Sequence, residues 1–234
     1  MTLLLAVVFL LLAAGTIDAQ SYRHELDELA MEFYRFGEVE GTLDEISRKE
    51  EKLEDKERDH DYYVQMAELE IFRAEIKEVA GIESPRDNYE RALELAEKAL
   101  EMEKTTRASR QAAESLSMLF DYRSLFFIIR NAGRAEEYLK DAEELAENDY
   151  MTELVMASYY IYAPERAGGD REKAHKLFEK IKATGHPVFQ LAAMEAQAAD
   201  YLDRGEKNKV EEIREKVRNL FPDNPRLEDF PLRN

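Results

Sequence analysis

Glycines 133, 169 and 205 stand 36 residues apart, each between stretches rich in alanine, leucine and charged residues. A fixed period of this length is the mark of stacked helical hairpins, where each repeat buries its apolar face against the next. The positions after these glycines follow a common frame of five, four and three steps. Gly169 is followed by Ala174, Phe178 and Ile181; Gly205 by Val210, Arg214 and Val217; Gly133 by Tyr138, Ala142 and Leu145. Ile46, Glu50 and Leu53 keep the frame after Gly41, and Ala92, Ala96 and Ala99 keep it after a longer turn. Such offsets place each trio on one helix face, and small residues there let two helices approach closely.

Helix stops and starts complete the pattern. Ser84-Pro85, Thr184-Gly185-His186-Pro187 and Phe221-Pro222 punctuate the chain where helices should end. In the segment Tyr162-Ala163-Pro164-Glu165-Arg166-Ala167-Gly168-Gly169-Asp170, Pro164 stops one helix. Gly168 and Gly169 make a turn, and Asp170 caps the next helix. The reading is all-α, with about five antiparallel hairpins. Their helices are Tyr22–Phe36 with Thr42–Lys56, His60–Ala80 with Arg86–Lys104, and Arg107–Asn131 with Arg134–Glu147. Tyr150–Ala163 with Arg171–Ala183 and Pro187–Arg204 with Lys207–Phe221 complete the set. One repeat domain spans 20–225, and 226–234 form a C-terminal tail.

Leu3 to Ala14 is a nearly unbroken apolar run, short for a membrane span and of the length of a signal-peptide core. Small or aliphatic residues at Ile17 and Ala19 suit cleavage after Ala19, so residues 1–19 read as a signal peptide. Export to the periplasm or the exterior follows; an uncleaved segment would instead leave an N-terminal anchor. Nothing after Ala19 approaches spanning length.

The chain carries a net charge of −18. Nucleic-acid binding draws its affinity from lysine and arginine against phosphate, so that class is disfavoured. Without cysteine, a disulfide framework, a thiolate metal site and a lipidated N-terminal cysteine are excluded. His24, His60, His175 and His186 do not stand at metal-ligand spacing, and no phosphate-binding loop or nucleophile elbow occurs. The expectation is a binding protein with no enzymatic activity, no cofactor and no metal.

The last hairpin resembles the tetratricopeptide repeat. Met194, Ala198 and Tyr201 take its first-helix positions, Gly205 its turn, Val210 and Val217 its second-helix small positions, and Pro222 its closing proline. This TPR-like resemblance implies a right-handed superhelical solenoid whose first helices line a concave surface that binds a protein or peptide. On those helices, Tyr62, Tyr63, Arg73, Arg123, Phe127, Tyr159 and Tyr162 are the candidate contacts, as interfaces favour tyrosine and arginine. Gly133, Gly168, Gly169, Asp170, Ala174, Gly205 and Pro222 are the structural turn and repeat positions. The Pro164–Ala174 segment is also similar to the helical T-component of tripartite periplasmic solute transporters. That resemblance implies an accessory subunit that partners a solute-binding protein.

Overall fold

A computed structural model of the chain describes residues 28–30, 33, 38–146, 149–163, 168–222 and 230. Residues 1–19, read above as a signal peptide, most of the expected tail and most of the first expected helix, together with Pro164–Ala167, lie outside these residues; 28–30 and 33 are helical. Among the described residues there is no strand and every element is a helix, as the sequence implies. Nine helices have defined bounds: α1 Val39–Glu54, α2 His60–Ala80, α3 Arg86–Met102, α4 Thr106–Tyr122, α5 Leu125–Leu145, α6 Tyr150–Tyr162, α7 Arg171–Lys182, α8 Pro187–Asp203 and α9 Lys207–Leu220. No helix among the described residues is long and apolar enough to cross a membrane.

Short polar side chains cap the starts of α2, α4, α5 and α7. The Asp59 carboxylate accepts from Tyr62 N at 2.9 Å, and Asp170 accepts from Lys173 N at 2.9 Å. Thr105 and Ser124 do the same for α4 and α5. Each satisfies an N–H that has no partner inside its helix. Gly81 closes α2 at φ 61°, where its N–H reaches the Glu78 and Lys77 carbonyls. Gly205 turns α8 into α9 at φ 72°. A left-handed residue at a helix end is cheap only for glycine.

The third hairpin departs from expectation. Its first helix ends at Tyr122, and Arg123 is extended (φ −119°, ψ 163°). Ser124 then caps a single helix that runs from Leu125 through Asn131 and Gly133 to Leu145. Gly133 is therefore a helix-interior residue, not a turn. Asn131, which reads as the end of the hairpin's first helix, lies inside α5; it is buried and donates through its side chain to the Phe127 carbonyl. The face moves accordingly: α5 buries Ala135, Leu139 and Ala142, while Leu145 is exposed.

The chain divides into two compact units, each taken separately below: Glu40–Thr152, and Met1–Val39 with Glu153–Asn234. In the first unit α2 packs on α3, α3 on α4 and α4 on α5, and α2 also packs on α4. Its core is small-residue hydrocarbon: Ala67 and Ile71 of α2, Ala92, Ala96 and Ala99 of α3, and Ala108, Ala112 and Leu116 of α4. In the second unit α7 packs on α8 and α8 on α9. There Ala174, Phe178 and Ile181, the trio set by the glycine frame, are all fully buried.

Candidate functional site

The first helices of the hairpins in Glu40–Thr152 carry an unusual face. On α4, Arg107, Arg110, Gln111, Glu114 and Ser115 recur at three- and four-residue steps, the spacing of one helix side. On α2, Gln65 and Glu68 do the same. All except Arg107 are less than a tenth exposed. These positions would hold leucine or valine in a simple core.

Charge on this face is paired. Arg107 donates to Glu68 Oε2 at 2.5 Å. Arg110, 2% exposed, donates to Asp149 Oδ2 at 3.1 Å and stands 3.9 Å from Glu68 Oε1. Asp149 also accepts from the Thr152 hydroxyl at 2.6 Å and from its N–H at 3.3 Å. Glu114 lies in the field of both Arg110 and Glu68. Burial pushes its carboxyl up to about 8, with the Glu68 charge adding to the rise and Arg110 opposing it. Near neutral pH the group is thus mostly protonated, and two guanidiniums face two carboxylates. The Gln111 side-chain NH2 is spent on the Val64 carbonyl at 3.1 Å. Gln65 Oε1, Gln111 Oε1, Glu114 Oε1 and Ser115 Oγ have no hydrogen-bond partner among the described residues.

At the other end of α2, Glu78 accepts from Tyr89 at 3.0 Å and Tyr122 at 2.9 Å. Burial raises the Glu78 carboxyl, although both hydroxyls favour its ionised form. Tyr89 is fully buried and stacks on Tyr122 at 6.2 Å. This cluster ties α2, α3 and α4 together.

The expected contact residues are mostly engaged inside the fold. Tyr62 is buried edge-on to Tyr63, centroids 5.2 Å apart. Tyr63 is half-buried, with Lys98 over its ring. Arg73 pairs with Glu50 at 2.5 Å and Glu70 at 3.1 Å. Arg123 is not on a first helix but in the α4–α5 connection; it pairs with Glu90 at 2.5 Å and lies over the Phe127 ring. Phe127 belongs to α5 and meets Phe120 edge-on. In the second unit, Tyr159 is half-buried and its hydroxyl lies 3.4 Å from where a Cβ on Gly168 would stand. Tyr162 is half-buried on the same helix. Gly168 is left-handed at φ 87°, as the turn reading requires, and Asp170 caps α7.

A further arrangement escaped the sequence reading. His175 of α7 bonds Asp200 Oδ2 through Nε2 at 3.0 Å, and Gln197 through Nδ1 at 3.2 Å. Tyr201 stacks on the ring at 5.1 Å. Asp200 is buried, which opposes its ionisation, but the His175 hydrogen bond and the charges of Arg171 and Arg204 hold its carboxyl below the usual range. Both imidazole nitrogens are occupied, so the network joins α7 to α8. The two residues lie 25 apart, and no local spacing signals the pair.

No protein-family model matches the chain. No curated protein and no solved structure matches it either.

Proposed function

We propose that this chain is an exported helical-repeat scaffold that binds another protein or a peptide. The packing order in Glu40–Thr152 carries the reading. Each first helix touches its own second helix, and α2 also touches the next first helix, α4. Stacking hairpins on their nearest neighbours is how repeat proteins build extended binding surfaces. The apolar run Leu3–Ala14 supports export. Tyr63 and Tyr159, on first helices, are only partly buried, and interfaces favour tyrosine.

A second reading is an accessory subunit like the T-component, paired with a solute-binding protein. The polar face of α2 and α4 favours it. Amide, carboxyl and guanidinium groups stand there in place of hydrocarbon, which suits a polar solute better than an apolar peptide.

A photoreactive phenylalanine analogue at position 63 or 159, in the chain produced in its own cells, tests both. One dominant cross-linked protein, identified by mass spectrometry, supports the scaffold. A solute-binding protein in that role favours the second reading. No cross-link from either position refutes a groove lined by first helices.

A further inference from the structure

The start of α5 exposes hydrocarbon that the fold leaves uncovered. Leu125, Phe126 and Ile129 are 69%, 75% and 71% exposed. They are separated by one, three and four positions, so they form one apolar row on the helix surface. Isolated exposed leucines are ordinary, but three large side chains in one row mark an interaction surface.

Two neighbours give this row a direction. The first is Gly133, four residues beyond Ile129 and seven beyond Phe126, on the same side. It lies within the helix, and a Cβ there would meet nothing within 4 Å. Neither a turn nor internal packing calls for glycine. A bare position does allow another backbone to approach closely. The second is Arg130, exposed beside Phe126 and Ile129. Arg73, Arg86, Arg91, Arg107, Arg110 and Arg134 of α2 to α5 all pair with carboxylates. Arg130 has no ion-pair partner among the described residues, on a chain with 51 acidic residues to 33 basic. The amino end of α5 adds the positive end of a helix dipole. Just beyond Gly133 the exposed surface of α5 is polar, with Arg134, Glu136 and Glu137.

We infer that Leu125, Phe126, Ile129, Arg130 and Gly133 form a docking surface for an acidic amphipathic helix of a partner protein. Its apolar side covers the row, one of its carboxylates meets Arg130, and its backbone passes close over Gly133. A second copy in two-fold pairing would bring Arg130 towards its own equivalent, which disfavours self-association. The inference concerns a second helix of a hairpin, so it goes beyond the groove described above.

The probe is a synthetic amphipathic helix with leucine at i, i+3, i+4 and i+7, flanked by glutamate, and a counterpart flanked by lysine. Binding to the full chain is followed by fluorescence anisotropy. The expected result is saturable binding of the acidic peptide, at least about tenfold tighter than its lysine counterpart. Arg130→Glu should reverse that preference. Phe126→Ser and Gly133→Ala should each weaken binding about tenfold, as loss of an interface anchor does, with melting temperatures no lower than the parent's. Equal affinity for both peptides, no binding of either, or Gly133→Ala binding as the parent does would overturn the inference. So would dimerisation in sedimentation velocity that Phe126→Ser abolishes, since the occupant would then be a second copy.

Discussion

Replacing Gly133 by alanine should stabilise the protein, and replacing Gly205 should destabilise it, although the added methyl group meets open space at both. The difference lies wholly in the backbone. Gly133 sits inside α5, where alanine is favoured over glycine by about 1 kcal/mol. Gly205 sits at φ 72°, where a Cβ costs roughly 1–2 kcal/mol. For Gly133→Ala the expected rise in melting temperature is roughly 4 °C, since about 1 kcal/mol shifts a domain between 100 and 150 residues by that order. Gly205→Ala should lower the temperature of its own transition by a similar or larger amount. Far-UV circular dichroism against temperature measures both. The 36-residue glycine period reads Gly133 as a turn equivalent to Gly205. If Gly133→Ala melts lower, as Gly205→Ala should, that reading is right and the continuous α5 helix is wrong.

The buried charges give two more expectations. Arg110→Ala leaves Asp149 without its guanidinium, and Glu68 with Arg107 alone, in a covered site, and should cost about 3–5 kcal/mol in urea unfolding; a loss below about 1 kcal/mol would show that water reaches Arg110. Glu114 is raised to about 8 in the folded chain, against about 4.3 unfolded. Its favourable contribution is therefore complete below the unfolded value and is lost as pH rises towards and through 8. Stability should fall over that window by at most about 1.4 kcal/mol per pH unit, and Glu114→Gln should flatten the slope. A variant with the parent's pH profile would show that Glu114 is already ionised at neutral pH.

Where the sequence was legible, the signal was local to a few residues on one helix or at its start. Asp170 and Ser84-Pro85 mark helix starts whatever the fold around them, and Ala174, Phe178 and Ile181 declare a buried stripe by spacing alone. The glycine period misled at α5 because it counted glycines without asking for a left-handed backbone. Gly205 has one; Gly133, inside a helix, does not. Ser124, a serine just before an apolar stretch, was the available cue to the true start. The candidate site was less legible. Helical spacing puts Arg107, Arg110 and Glu114 on one face, but it does not say which helix opposes them. Glu68 and Arg107 meet across 39 positions of sequence. Adjacent tyrosines such as Tyr62 and Tyr63 point differently, so sequence could not tell which of them is covered.

Asp149 holds two jobs that are usually separate. One of its oxygens receives Arg110 from α4 and the Thr152 hydroxyl and N–H from the first turn of α6. Fraying of that turn therefore loosens the Asp149 side chain that neutralises a guanidinium 39 residues earlier. The first turn of α6 and the second turn of α4 are joined through one carboxylate, and should open as a single cooperative element, a foldon. In hydrogen exchange the amides around Arg110 would then open together with those of Thr152, and not with their own neighbours at the end of α4.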